Sequence, residues 1–235
     1  MRVAGLDRDN RDFVSWLQDL SYDPAFQGFI APPPSINTTS AIADFYNGVY
    51  PDDLLRNAAM DPTVFADRCI LSALNKGVND INRIMIRKYP GELKEFHAVT
   101  TAEDAENAPP LPPELLQELD FPSIPPANLE LKIGAPVILL RNMDPEHGLC
   151  NGTRMTIVRI ARNVLETRIL TGEFAGQKRL IPRIKLNSAQ EDFAYIISRI
   201  QFPLRLCFSM TINKSQGQSF ERVGVDLRAP PFSHG

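Results

Sequence analysis

Cysteine is scarce in this 235-residue sequence, and the three cysteines lie far apart. They are Cys69, Cys150 and Cys207, an odd number without the close spacing of a disulfide framework or a zinc site. Cys69 and Cys207 fall within apolar runs, which favours buried packing over chemistry. We therefore expect an intracellular, reducing environment, and the class of small disulfide-stabilised secreted domains is excluded.

Long hydrophobic runs are also absent. No apolar stretch approaches the roughly 20 residues that span a bilayer, and the first residues, MRVAGLDRDNRDF, lack the apolar segment of a secretory signal. We expect no membrane association. Two of the three histidines, His97 and His234, have no partners at the spacing of a metal site or a catalytic triad.

A third absence concerns phosphoryl transfer. That chemistry needs a Gly-x-x-x-x-Gly-Lys-Ser/Thr loop and an acidic pair for Mg²⁺ and water, and the sequence contains neither. The stretch Gly172-Glu-Phe-Ala-Gly176-Gln-Lys178 has a different glycine spacing and no Ser or Thr after its lysine. Because it lies between two predicted strands, we interpret it as a hairpin turn.

The net charge of −3 does not indicate a nucleic-acid-binding protein, but the charges are unevenly distributed. Residues 1–130 hold 10 Lys and Arg against 20 Asp and Glu, whereas residues 131–235 hold 15 against 8. Only the second half can supply a basic face for phosphates. A basic surface that is merely solvated explains the charge equally well.

Apolar periodicity in the first hundred residues predicts helices around one buried strand. A helix is expected over residues 9–20, a second from Ser40, a central strand over 69–74, a turn over 75–77 and a helix over 78–89. Helices alternating with a strand favour an α/β fold with a parallel sheet. The apolar stripe of the first helix, assigned to a core, comprises Phe13, Trp16, Leu17 and Leu20.

The amino-acid composition and pattern change twice in the middle of the chain. Residues 97–128 are acidic and contain seven prolines, so they cannot hold a continuous helix or a central strand. We interpret them as a surface linker with at most one helical turn over residues 114–119. Residues 131–186 contain short alternating runs separated by turns, which predicts four or five strands of a small barrel, with Pro182 at an edge or a bulge.

The stretch with the most chemistry is LRLCFSMTINKSQGQSF, residues 204–220. Its apolar first part, residues 204–210, predicts a buried strand. Hydroxyls, amides, a lysine and a glycine follow, and such residues past a strand end suit phosphate or a nucleic-acid backbone. Gly217 is expected to end a short helix from Thr211, and residues 223–227 to form the next strand. Spacing alone favours an ordinary strand-to-helix connection.

Three segments resemble a known family. Thr211-Ile-Asn-Lys-Ser-Gln-Gly-Gln218, continuing into Arg222-Val-Gly-Val-Asp226, resembles the fifth conserved motif of the PIF (petite integration frequency) DNA helicases. Asn in place of the more common His is similar to the PIF-like helicases of Helitron transposons. ILSALNKGVNDIN, residues 70–82, resembles the fourth motif, although Ala73-Leu74 replaces the usual Pro-Thr. Residues 131–153 resemble the start of the family's inserted Src-homology-three-like barrel.

The resemblance implies an α/β fold and a domain order. The chain would be the C-terminal half of such a helicase: a second RecA-like domain with a parallel sheet, of the P-loop NTPase type but without the P-loop, interrupted by the small β-barrel. Its first part would be residues 1–96, with a Pro-rich acidic linker at 97–128. The barrel and the return would be residues 129–200, and the remainder of the RecA-like domain residues 201–235.

The resemblance also implies roles for individual residues. No catalytic residue and no metal ligand is expected in this chain. In the predicted barrel, each of four cations is a candidate phosphate neighbour, with solvated surface as the favoured alternative: Arg141, Arg154, Arg159 and Lys185. The expected single-stranded DNA contacts are Thr211, Asn213, Lys214 and Asn75, and the residues expected to face the ATP cleft are Gly217 and Gln218.

The intact relative would be an ATP-dependent DNA helicase that unwinds 5′ to 3′ with Mg²⁺ and ATP, in DNA repair, recombination, telomere or transposon maintenance. Its expected location is the nucleus or, alternatively, mitochondria. Expected partners are single-stranded DNA and the missing N-terminal RecA-like domain. We expect negligible ATP hydrolysis and no tightly bound nucleotide in this chain, because the family's arginine-finger motif is absent as well. Two alternatives stay open: a non-hydrolysing DNA-binding remnant of a Helitron-type transposon, and a protein-interaction module that uses the barrel.

Overall fold

The computed structural model describes residues 8–22, 31–58, 60–103, 112, 115–116, 121, 123–188 and 195–229. It divides the chain into two units, residues 1–45 and 46–235. The described helices are α1 (Arg8–Tyr22), α2 (Ile42–Val49), α3 (Asp52–Asn57) and α4 (Asn75–Lys88). The described strands are β1 (Arg68–Ser72), β2 (Lys94–His97), β3 (Val99–Glu103), β4 (Asn128–Leu131), β5 (Pro136–Leu139), β6 (Arg154–Ile160), β7 (Val164–Ile169), β8 (Lys178–Pro182), β9 (Ile184–Asn187), β10 (Ile196–Gln201), β11 (Leu204–Leu206), β12 (Ser209–Thr211) and β13 (Arg222–Asp226).

The first unit contains α1, which confirms the helix predicted over residues 9–20. The rings of Phe13 and Trp16 stack with centroids 6.1 Å apart, and Trp16 Nε1 donates to the Ala31 carbonyl at 3.2 Å. Phe13, Trp16 and Leu17 are half-buried rather than enclosed, and the side chain of Leu20 lies outside the described residues. The stripe therefore covers one face of α1 without forming a closed core.

A parallel sheet of three strands is the centre of the second unit. β1 lies between β12 and β13, and both neighbours run parallel to it. α4 packs on this sheet, and its buried positions include Val78, Ile81 and Met85, as the sequence predicts. The predicted central strand and the α/β class are confirmed. The expected turn over residues 75–77 is wrong: Leu74 takes an extended N-cap conformation, and these residues form the first turn of α4.

The apolar run over residues 204–210 is two strands rather than one. β11 pairs antiparallel with β5, whereas β12 pairs parallel with β1. Between them the chain changes sheets at Cys207 and Phe208, which are both fully buried. Phe208 packs edge-on against Tyr50 and Phe65, with ring centroids at 5.9 and 5.4 Å. Aromatic packing of this kind fixes the point of exchange, which a continuous apolar pattern cannot reveal.

The strands after residue 128 build an antiparallel sheet of five, in the order β11-β5-β6-β7-β8. A ribbon of β2 and β4 contributes Leu129 and Leu131 to the same core. Pro182 ends the edge strand β8, which confirms its predicted edge position. Gly172 and Gly176 turn the chain between β7 and β8 with positive φ, as expected of a hairpin turn. Closure into a Src-homology-three-like barrel stays a prediction.

β9 is not part of this five-stranded sheet. It belongs to a separate antiparallel sheet with the strand order β3-β10-β9. The expected linker over residues 97–128 therefore differs from the structure at both ends. It begins with the edge strand β3, and near its end Phe121 and Ile124 are buried. Arg199 Nη1 donates to the Pro125 carbonyl at 2.8 Å, so a buried side chain satisfies the main chain of a segment too rich in proline to pair with a strand. Helical backbone is seen at residues 115–116, inside the predicted helical turn.

The candidate phosphate neighbour Arg154 is not on the surface, so both interpretations offered for it are wrong. Its side chain is 1% exposed. Its guanidinium donates to the carbonyls of Ala66 at 2.8 Å and Arg68 at 3.0 Å, and also to that of Phe65. It lies 4.8 Å from the ring centroid of Phe220. Arg154 therefore ties β6 of the five-stranded sheet to the chain that enters β1.

Candidate nucleic-acid interface

A cleft of about 300 Å³ lies between α4, the β11–β12 segment and residues 126–130. It borders the end of β12, where Thr211 is the last residue of the strand, and the start of α4 at Asn75. The carboxyl ends of parallel strands are the usual binding edge of an α/β sheet, because loops and helix N-termini meet there. The cleft thus lies where the fold places a ligand.

Three of the predicted DNA contacts line this cleft together. Asn75 comes from the start of α4, Thr211 from the end of β12, and Lys214 from the short 3₁₀ turn over Ile212–Ser215. Asn75 is separated from the other two by more than a hundred residues in sequence, and the parallel pairing of β1 with β12 brings all three to one edge. Asn213, the fourth predicted contact, is exposed beside the cleft and is not part of its lining.

The two residues expected at an ATP cleft do not line this cavity. Gly217 is exposed with φ of +78°, a left-handed conformation that suits glycine, and it lies one residue beyond Gln216, the C-cap of the 3₁₀ turn over Ile212–Ser215. Gln218 is half-buried, and its Nε2 donates to the Lys214 carbonyl at 3.1 Å. A side chain predicted to sense nucleotide is therefore hydrogen-bonded to the main chain of a predicted DNA contact.

Lys214 is in an environment that disfavours its charged form. Burial lowers its pKa, the nearby Arg205 guanidinium lowers it further, and the Cys207 thiol opposes the shift. An anion in the cleft would act in the opposite direction, because an opposite charge at close range favours the ammonium form. The electrostatics of the cleft therefore suit a negatively charged ligand.

Sequence reasoning missed several polar residues that line the same cleft, among them Asn79, Asn82, Arg83 and Arg205. A signal was available for two of them, since Asn75, Asn79 and Asn82 lie four and three residues apart and share one face of a helix. Treating residues 75–77 as a turn hid that face. Arg205 gave no local signal, because its position depends on the pairing of β11 with β5.

Asn82 holds the junction where the chain changes sheets. Its Nδ2 donates to the carbonyls of Leu206 and Ser209, both at 3.1 Å, and its Oδ1 accepts from the Ser209 amide at 2.9 Å. The residue is 6% exposed, so these bonds form away from water. Asn82 therefore fixes the start of β12, and with it Thr211, relative to α4.

The remaining cations predicted in the barrel region do not reach the cleft. Arg141 and Lys185 line a separate, open hollow, where Arg141 Nη2 donates to the Asn187 carbonyl at 3.1 Å. Arg159 is largely exposed and lies 3.6 Å from the Glu166 carboxylate. For Arg159 and Arg141 the solvated-surface interpretation agrees with their exposure.

The residues that the structure describes do not form a complete site for Mg²⁺ and ATP. Within the described ranges, no group of three or more His, Cys, Asp or Glu side chains is placed to hold a metal ion. Gly217 and Gln218 offer at most one edge of a nucleotide site, because Gln218 is bonded within its own loop. The part of the chain that the structure describes also contains no helix long and apolar enough to cross a membrane.

Comparison with known sequences finds a match to one family model and similarity to DNA helicases of the same name. The family model for the 2B domain of DNA helicase Pif1 matches residues 114–160. The ATP-dependent DNA helicase PIF1 of Rattus norvegicus is 31% identical over 149 residues, covering 62% of this chain and 21% of that protein. The ATP-dependent DNA helicase Pif1 of Campylobacter jejuni is 29% identical over 169 residues, covering 68% and 36%. The chain spans about a fifth of the length of the vertebrate relatives it matches.

Solved structures show the same fold. The Pif1 helicase of Candida albicans superposes with a TM-score of 0.53 at 24% identity, over 79% of this chain and 47% of that one. A structure of two Pif1 helicases on forked double-stranded DNA gives a TM-score of 0.50 at 22% identity, over 82% and 42%. The parallel sheet is accordingly that of a RecA-like domain. In its sequence motifs, its 2B-domain match and its fold, the chain is thus similar to the C-terminal part of PIF-family DNA helicases.

Proposed function

We propose that this chain forms the part of an ATP-dependent DNA helicase that holds single-stranded DNA, with the cleft beside α4 as the path of the strand. The observation that carries the proposal is the convergence of Asn75, Thr211 and Lys214 on one cleft. The relatives are ATP-dependent DNA helicases, and a helicase must hold one strand while it moves.

The chemistry of the lining suits a nucleic-acid backbone. The Thr211 hydroxyl and the Asn75 amide are hydrogen-bond donors for phosphate oxygens, and Lys214 supplies charge. Contacts to phosphate and sugar carry no sequence information, so the cleft would hold DNA of any sequence. A motor that translocates requires that tolerance.

Nucleotide binding in the intact enzyme would act through the same loop. Gly217 and Gln218 would face Mg²⁺-ATP held mainly by the partner RecA-like domain. The bond from Gln218 to the Lys214 carbonyl supports this coupling, because a Gln218 that turns toward nucleotide releases the main chain of a DNA contact. Unwinding from 5′ to 3′, a nuclear or mitochondrial location and work in repair, recombination or telomere maintenance complete the proposal.

The test is a titration of labelled oligo-dT over a series of salt concentrations. Wild-type affinity should fall steeply with salt, and Lys214→Ala should weaken binding about tenfold at low salt and reduce the log–log slope by about 0.7, the value for one single-strand phosphate contact. Lys178→Ala is the matched control, since Lys178 is an exposed lysine on β8 paired with Glu166. Absent binding, or binding that salt and Lys214→Ala leave unchanged, contradicts the proposal and favours a protein-interaction role.

A second candidate is a non-hydrolysing DNA-binding protein of Helitron-type origin. This second candidate is favoured because Gly217 and Gln218 are the residues of this chain that were predicted to face nucleotide, and neither can carry out hydrolysis. Both candidates predict the same DNA binding, so the genomic sequence upstream of Met1 separates them. An in-frame P-loop exon there supports the motor, and a gene that encodes no P-loop supports the remnant.

A further inference from the structure

We propose that Arg205 is a further backbone contact in the cleft, where it presents its charge to a phosphodiester and fixes the proline-rich segment as one wall of the strand path. This inference rests on the proposed function and adds a residue that lies outside the motif-based DNA contacts. It also gives the proline-rich segment a role at the site.

Arg205 lies on the floor of the cleft. It is on β11 opposite Ile138 of β5, and both residues line the cavity together with Lys214. Its side chain is half-buried. It is therefore accessible to a ligand without being free to move into solvent.

The guanidinium connects two sides of the cleft. Its Nη2 donates to the carbonyls of Phe121 at 2.6 Å and Ile124 at 2.9 Å, and its Nη1 donates to Asn79 Oδ1 of α4 at 3.4 Å. Residues 126–130, which follow directly, line the cleft. Arg205 thus holds the chain that leads into that wall, and it spans from the wall to α4.

The charge of Arg205 is felt inside the cleft. It contributes to the lowered pKa of Lys214, so the two cations are close enough to repel. Among the lining residues are three cations, Arg83, Arg205 and Lys214, and one carboxylate, Glu130. Arg83 is paired with Asp80 at 3.6 Å and is largely exposed. A phosphodiester placed between Arg205 and Lys214 would replace repulsion with two attractive contacts.

Substitutions of Arg205 can separate its two proposed roles, which are to hold the proline-rich segment in place and to present a positive charge to phosphate. Lysine keeps the charge but cannot reproduce the planar fork that reaches two carbonyls and an amide at once. Glutamine keeps one hydrogen-bond donor group and loses the charge. Arg205→Lys and Arg205→Gln therefore disturb the wall similarly and differ in electrostatics. Arg162→Gln is the matched control, because Arg162 is an exposed arginine in the turn between β6 and β7.

The experiment measures oligo-dT affinity of the full 235-residue chain over a salt series, with thermal unfolding of each variant. Both Arg205 variants should lower the melting temperature. Arg205→Gln should reduce the log–log slope by about 0.7 and weaken binding about tenfold at low salt, whereas Arg205→Lys should keep the wild-type slope. Arg162→Gln should change neither quantity.

Equal slopes for the lysine and glutamine variants would overturn the inference and leave Arg205 a purely structural residue. If the glutamine variant does not fold, the wild-type protein decides: addition of oligo-dT should shift the Arg205 Nε–H resonance, and an unmoved resonance overturns the inference. Failure of the proposed function is distinguishable, since the wild-type chain would then not bind oligo-dT at all.

Discussion

The Arg154 guanidinium donates to main-chain carbonyls of the segment that enters β1, and the Arg199 guanidinium donates to those of the proline-rich segment. Both side chains are almost completely buried. A buried cation is costly unless its donors are satisfied. At the scale of single residues, these arginines therefore join separate pieces of the second unit and are unavailable to phosphate.

Replacing Arg154 should destabilise the protein strongly. Arg154→Met removes the guanidinium hydrogen bonds to the carbonyls of Ala66 and Arg68 and the contact with Phe220, so we expect a loss of about 3 kcal/mol. Urea unfolding measures it. Arg159→Met is the matched control on the same strand, because Arg159 is exposed, and it should change stability by no more than about 0.5 kcal/mol. Similar values for the two variants would show that the buried contacts contribute nothing.

Asp226 gives a prediction for acid stability. Hydrogen bonds from the Arg228 side chain lower the pKa of the Asp226 carboxyl, with Nε at 2.8 Å from Oδ1 and Nη2 at 2.8 Å from Oδ2. The ion pair therefore stabilises the fold above the unfolded pKa of about 3.9 and is lost as the pH falls through the lower folded value.

Asp226→Asn should accordingly be less stable than the wild type by about 1 kcal/mol at pH 7. The difference should shrink as the pH falls below about 4. Chemical unfolding from pH 7 to pH 3 tests this. A difference that stays constant over that range would mean that the carboxylate is not ionised in the pair.

At the scale of elements, Asn82 connects α4 to the junction between β11 and β12. Asn82→Ala removes three hydrogen bonds to main-chain groups near Leu206 and Ser209. We expect a loss of about 2 kcal/mol together with faster hydrogen exchange of the Ser209 amide. Asp80 on α4, whose side chain is 49% exposed, serves as control, and Asp80→Ala should leave that exchange rate unchanged. If the Ser209 amide exchanges as slowly in Asn82→Ala as in the wild type, β pairing alone fixes the junction.

The start of α4 also explains why sequence analysis did not identify some of the residues that line the cleft. With residues 75–77 interpreted as a turn, Asn75 is an isolated turn residue; with α4 beginning at Asn75, the residue shares a helix face with Asn79 and Asn82. Gly77 in the first turn weakens helix propensity, so the local sequence favoured the turn. The packing of Val78 and Ile81 on the sheet outweighs that preference.

At the scale of the whole molecule, nucleotide hydrolysis needs groups that this sequence does not contain. Gly217 and Gln218 cannot by themselves position a γ-phosphate and an attacking water. We expect the purified chain to hydrolyse ATP no faster than a sample without protein, with or without oligo-dT. Turnover above background that Gly217→Val abolishes would contradict this, because the substitution strains a residue at φ of +78° and touches no other predicted site.

The sequence by itself determined the local elements and the motif chemistry. Periodicity located α4, β1 and β13, and proline placed Pro182 at an edge, because these properties depend on neighbours along the chain. The resemblance of residues 211–218 to the PIF family pointed to the polar loop that contributes Thr211 and Lys214 to the cleft.

Only the tertiary structure decided which strands share a sheet and which cations are exposed. The division of residues 204–210 between two sheets, the burial of Arg154 and the convergence of Arg205 with Lys214 all depend on pairings between segments distant in sequence. The sequence determines the charge of a side chain. The solvation of that side chain depends on the segments that pack around it, which only the folded chain determines.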